Sequence, residues 1–73
     1  MKLSELHKGE QAVILYIEDE QLAVKLYEMG CLPGERVTVE NIAPFGDPIA
    51  ITFSGYKLFI RRNDAGYIII KPE

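Results

Sequence analysis

Cys31 is the only thiol and His7 the only imidazole among the 73 residues of this sequence, so nucleophilic or general acid–base chemistry would have to begin at one of them. A nucleophile needs a base within hydrogen-bond reach, and acid–base catalysis needs a positioned group of tuned pKa. His7 falls in the weakly patterned start from Met1 to Gly9 and reads as a surface residue. Cys31 directly follows Gly30 at the end of a helical pattern, where a small apolar side chain is expected to enter the core. No catalytic residue is assigned, and the chain is not expected to be an enzyme. As metal ligands, His7 and Cys31 are the candidates, with scattered carboxylates around them. No C-x-x-C or H-x-x-x-H spacing joins two strong ligands, so a dedicated site is not expected, although weak divalent binding stays open. No cofactor is implied. The glycines of Gly30-Cys31-Leu32-Pro33-Gly34 lack the lysine and the following helix of a phosphate cradle. Lys57, Arg61 and Arg62 are the one local cluster of cations in a chain of net charge −3. A phosphate backbone draws its affinity from many clustered cations, so nucleic acid is not an expected partner.

The elements that must position these residues follow from composition and period. Apolar residues make up 48% and charged residues 26% of the chain, which suits one ordered domain over residues 1–73. A lone cysteine forms no internal disulfide, and no basic start leads into an apolar signal region, so a cytoplasmic setting is expected. The longest apolar run, Ala12 to Ile17, falls far short of the roughly 20 residues that a spanning helix requires, so no direct membrane insertion is expected.

Leu3 and Leu6 suggest a short turn or strand that plugs one end of the core. Gln11 to Glu18 is nearly continuous in apolar residues and predicts a central strand covered on both faces. Asp19 is a natural N-cap, and Leu22, Leu26 and Met29, with Ala23 and Gly30, form one helical stripe that predicts the buried face. Gly30 should end the helix in a left-handed conformation, with Cys31 folding back onto Leu26 in a Schellman motif. Pro33-Gly34 then predicts a type II turn.

From Glu35 the period becomes two, through Val37 and Val39, then Ile49, Ile51 and Phe53, then Leu58 and Ile60. Turns are expected at Pro44 to Pro48, at Ser54-Gly55 and at Asn63 to Gly66, with a last strand from Tyr67 to Ile70 and a bulge or bend near Ile42. Gly30, Pro33, Gly34, Gly46, Asp47 and Pro48 read as residues that fix turns, Asp47 by bonding its own backbone. The resulting fold class is mainly β: a five-stranded SH3-like barrel with one short α-helix after the first strand, closed to hide its edges.

Two punctuated motifs carry a family resemblance. Lys25-Leu26-Tyr27-Glu28-Met29-Gly30-Cys31-Leu32-Pro33-Gly34 is followed after a strand by Ala43-Pro44-Phe45-Gly46-Asp47-Pro48-Ile49, and Leu58-Phe59-Ile60-Arg61 with Asp64-Ala65 supplies a matching ending. From about Leu3 to Ile70 the chain resembles the FeoA family. The resemblance implies an SH3-like barrel and a partnership with FeoB, a membrane transporter of ferrous iron with a cytosolic GTPase domain. Related domains occur at the C-terminal end of iron-dependent repressors and within some FeoB chains. With Met1 at its start and no DNA-binding helices, this chain reads as the free-standing version.

What remains for function is surface. Phe45 at the tip of a Pro-flanked turn, Phe59 facing away from Leu58 and Ile60, and Tyr27, Leu32 and Tyr56 are the candidate partner-docking residues. The expected role is a non-enzymatic adaptor that binds and modulates FeoB. The alternative is a metal-responsive module like the SH3-like domain of the repressors. Edge strands in so small a barrel leave a homodimer open.

Overall fold

In the computed structural model, which describes residues 1–73, alternating side chains turn one face of β1 and β2 into the core, while β3 is buried along nearly its whole length. The elements run β1 (Gln11–Ile17), α1 (Glu20–Glu28), β2 (Arg36–Ile42), β3 (Ile49–Phe53), β4 (Tyr56–Ile60), α2 (Arg62–Ala65) and β5 (Ile68–Pro72), with a 3-10 turn at Leu3–Glu5 before them. All strand pairs are antiparallel, in the order β4-β3-β2-β1-β5. The sheet curls around Leu3, Ile14, Leu26, Cys31, Val37, Val39, Ile49, Ile51, Ile68 and Ile70, each less than 2% exposed. At about 1.5–3 kcal/mol for each large aliphatic side chain taken from water, this cluster supplies the main driving force for the fold.

Capping residues set the helix. The Leu22 N–H donates to Asp19 Oδ2 at 3.0 Å, as the N-cap pattern predicts. At the other end the Cys31 N–H donates to the Leu26 carbonyl at 2.9 Å and the Gly30 N–H to that of Tyr27 at 3.0 Å. Those two bonds form a Schellman motif, and Gly30 has the positive φ, +87°, that it requires. The expected turn follows: the Glu35 N–H donates to the Leu32 carbonyl at 3.0 Å, with Gly34 at φ +93°.

Several expectations are corrected. β1 is interior to the sheet but covered on one face only: Ala12 and Ile14 are buried, whereas Leu15 and Tyr16 are about half exposed. Met29 leaves the buried stripe, at 47% exposure, because the helix stops at Glu28 and Met29 is its cap. The bulge lies between Val39 and Asn41, slightly before Ile42, and a second lies between Ile14 and Tyr16. Asn63 to Gly66 is the body and cap of α2 rather than a plain tight turn, and the last strand begins at Ile68 and reaches Pro72. Asp47 does not bond its own backbone. Its Oδ1 accepts the Arg62 N–H at 3.0 Å, which ties the β2–β3 turn to the start of α2.

No ladder joins β4 to β5; α2 spans between them. The outer edge of β5 is covered, since Lys2 bridges to Ile69 and the Ile70 N–H donates to the Met1 carbonyl at 2.8 Å. The outer edge of β4 is open. Ser54 and Gly55, both at positive φ, form the two-residue turn between β3 and β4, so Phe53 and Tyr56 are a hydrogen-bonded pair. Alternate pairs exchange hydrogen bonds in an antiparallel ladder, so Tyr56, Leu58 and Ile60 bond to β3 while Lys57 and Phe59 turn their N–H and C=O groups outward.

Candidate functional site

Between α1 and the open edge of β4 runs an apolar groove made of two adjoining depressions of about 280 and 180 Å³. Each side has a local cause. Because the helix ends in a Schellman turn, Met29 is left outside the core and lies against the hairpin instead. Across from it, the period-two pattern of β4 turns Leu58 toward the helix, half-buried, and Tyr56 packs on Phe53 with ring centroids 6.2 Å apart. Met29 and Leu58 line both depressions, Leu22 and Phe59 extend the second, and Lys25, Lys57, Arg61 and Asp64 stand on the rim. The Lys57 ammonium meets Glu40 at 2.5 Å, and Arg61 Nε meets Asp64 Oδ2 at 3.2 Å. Such exposed pairs each contribute only about 0–1 kcal/mol and leave the side chains free to exchange partners.

The five candidate docking residues are all exposed, from Tyr27 at 40% to Phe45 at 99%. Tyr56 and Phe59 line the groove; Tyr27, Leu32 and Phe45 do not. Phe45 stands alone at the tip of the β2–β3 turn. Sequence reasoning missed Met29, Leu22 and Leu58 as groove residues because helical and strand periods assign them to the core. The signal that could have placed Met29 outside was its position immediately before the helix-ending glycine.

The residues considered for chemistry lie apart from the groove. Cys31 is fully buried, and burial, then the negative charge of Glu35, pushes its thiol from an ordinary 9.0 up to about 11. A thiol held in its neutral form is a poor nucleophile and a poor metal ligand. His7 is exposed; its backbone N–H donates to Glu10 Oε1 at 2.6 Å, and its ring Nδ1 lies 3.2 Å from the same oxygen. Those contacts, the backbone hydrogen bond first, hold the Glu10 carboxyl below its usual range. Nowhere do three His, Cys, Asp or Glu side chains come together as a ligand set. Gly30, Pro33, Gly34, Gly46, Asp47 and Pro48 serve the two connections already described. No helix is long and apolar enough to cross a membrane.

Fold and groove together define the class as a small SH3-like β-barrel domain. Its solved neighbours agree. FeoA from Chlorobium tepidum superposes with a TM-score of 0.93 at 34% identity, covering 99% of this chain and 70% of that one. FeoA from Stenotrophomonas maltophilia, described as a procaryotic SH3 domain protein and solved with zinc, superposes at 0.85 and 26% identity over 97% of this chain and 89% of that one. Residues 1–72 match the FeoA domain family, and the chain belongs to it. A relative from Porphyromonas gingivalis, a fusion of Fe(2+) transport protein A and the Fe(2+) transporter FeoB, is 40% identical over 72 residues. The match covers 97% of this chain and 8% of the length of that relative. The family is thus one of small accessory domains linked to ferrous iron transport.

Proposed function

We propose that this protein is a non-enzymatic, cytoplasmic accessory component of Fe(II) uptake that binds a FeoB-type transporter and modulates its GTPase or its gating. The observation that carries this reading is the covalent fusion of a 40% identical domain to FeoB in Porphyromonas gingivalis. A tether raises the local concentration of one module beside the other, so fusion and weak non-covalent docking are alternative ways to achieve the same contact. Modulation requires that the domain bind two states of the transporter with different affinities. The exposed aromatic residues, Phe45 above all, and the groove supply apolar surface for that contact.

Calorimetry against the cytosolic region of FeoB from the source organism tests the reading, with the nucleotide site empty, filled with GDP, and filled with a non-hydrolysable GTP analogue. Micromolar binding that changes with nucleotide and weakens in Phe45→Ser is the expected result. Absence of binding in all three states, together with unchanged Fe(II) transport by the intact transporter when this protein is added, would sink it.

The metal-responsive alternative draws support from the zinc complex of the Stenotrophomonas maltophilia relative. It requires that Fe(II) raise the thermal midpoint of this protein under anaerobic conditions, because a ligand that binds only the folded state stabilises it. An unmoved midpoint at millimolar Fe(II) discards it.

A further inference from the structure

We propose that the β4 edge is a strand-addition site, at which an extended segment of the partner, acidic and apolar by turns, pairs with Lys57 and Phe59 and drops alternate side chains into the groove. The proposal rests on the adaptor reading for its partner and on geometry for its site. Lys57 and Phe59 each present an outward N–H and C=O on an edge that nothing covers, whereas the opposite edge is occupied by Met1 and Lys2. Only an extended backbone satisfies such a row of alternating donors and acceptors. A strand added there sends every second side chain to the inner face. On that face lies the groove of Leu22, Met29, Tyr56 and Leu58.

Charge selects the occupant. The chain has eight Lys and Arg against eleven Asp and Glu, yet Lys25, Lys57 and Arg61 line the groove against Asp64 alone. Even with Lys57 drawn to Glu40, positive charge is in excess there. Two copies paired antiparallel through β4 would bring their Lys57 side chains near one another on one face, a like-charge contact that disfavours the pair. An acidic segment of a different protein neutralises the same rim.

The first arm of the test titrates a capped peptide of about seven residues, glutamate alternating with isoleucine, into isotope-labelled protein followed by NMR. Expected are saturable shifts at Tyr56 to Ile60, Leu22 and Met29, and at least tenfold slower amide exchange at Lys57 and Phe59. The same peptide with alternate backbone nitrogens methylated should lose affinity at least tenfold, and so should a peptide with lysine in place of glutamate. Unchanged exchange at Lys57 and Phe59, or undiminished binding of the methylated peptide, overturns strand addition. Concentration-dependent protection of those two amides in the protein alone, with a doubled mass, overturns the choice of occupant.

The second arm uses Lys57→Pro, which removes one outward N–H and leaves the β3–β4 bonds in place, against the cytosolic region of FeoB. If wild type and variant bind that region equally, strand addition fails while the adaptor reading survives. If the peptide binds as expected and the FeoB region does not, the edge site stands and the adaptor reading fails.

Discussion

At the β5 edge, Met1 and Lys2 occupy the outer backbone groups and Leu3 seals the barrel behind them at zero exposure; at the β4 edge, Lys57 and Phe59 face outward over an apolar groove. The same sheet therefore ends once in a closed seam and once in an unpaired one. Unpaired edges invite aggregation, and proteins restrain them with short strands and with lysine. β4 spans only Tyr56–Ile60 and carries Lys57 as its second residue, with its backbone groups turned outward. Those safeguards act against self-pairing while leaving the backbone accessible. The difference between the edges separates a surface that holds the fold together from one that is free to meet another molecule.

Truncating each edge puts that division to its strongest test. Leu3→Ala should cost about 2–5 kcal/mol, because a fully buried leucine leaves a cavity. Tyr56→Ala, from a side chain two-thirds exposed, should cost less than about 1 kcal/mol. Chemical denaturation of the two variants measures both, and equal losses would break the comparison.

In the core, Cys31 gives a pH-dependent contrast with the exposed edge. Its thiol is held up to about 11 in the folded chain against an ordinary 9.0, so the unfolded chain releases this proton first as pH rises. The stabilising contribution is complete below pH 9 and is lost as pH climbs toward 11, by roughly 2–3 kcal/mol at about 1.4 kcal/mol for each pH unit. Comparing wild type with Cys31→Ala by denaturation at pH 8 and pH 11 isolates it: the wild type should lose more stability than the variant over that interval. Equal losses would mean that Cys31 is not sealed in the core.

How far these features were legible depended on whether a local rule or a long-range contact decides them. Asp19 as cap, Gly30 and Cys31 as a Schellman end and Pro33-Gly34 as a turn are decided within a few residues, and all three appear as the sequence implies. The strand count, the place of the helix and the SH3-like class followed from period and turn residues. Asp47 was misjudged because its partner, Arg62, lies fifteen residues away, beyond any local pattern. Met29 was misplaced for a related reason, whereas Leu58 packs against the core as its period implies and lines the groove as well. Periodicity says which face of an element is apolar, but not where the neighbouring element stops covering it. The groove exists where α1 runs out, and the open edge depends on strand order, which alternation does not encode. What a partner would bring to that edge was not legible, because it depends on a sequence this chain does not contain.

Gly30→Ala sharpens the view that a helix end shapes the groove. No atom lies within 4 Å of the added methyl, so the cost arises from the left-handed backbone alone, about 1–2 kcal/mol. The methyl resonance of Met29 should shift with it, since its placement depends on the Schellman end; a silent Met29 would detach the groove from that motif. A smaller effect is expected at the seam. In Glu5→Ala the Lys2 N–H loses its 2.8 Å bond to the carboxylate, at about 0.5–1 kcal/mol. Exchange of the Ile70 amide, which Met1 protects, should quicken several-fold while that of Lys57 and Phe59 stays as it is.

The smallest expected change in stability comes from Phe59→Ser. The ring is 65% exposed on the open edge, so its removal should alter the free energy of unfolding by no more than about 0.5 kcal/mol, with the midpoint of denaturation nearly unmoved. Removing an apolar side chain that lines a docking groove acts differently on a complex, where truncating a central apolar anchor costs about 2 kcal/mol or more and weakens binding some thirtyfold. Affinity for the cytosolic region of FeoB should therefore fall in a protein that is otherwise as stable as wild type. Lost stability with retained affinity would reverse the assignment and make β4 part of the scaffold, leaving Phe45 and the β2–β3 turn as the surface that meets the partner.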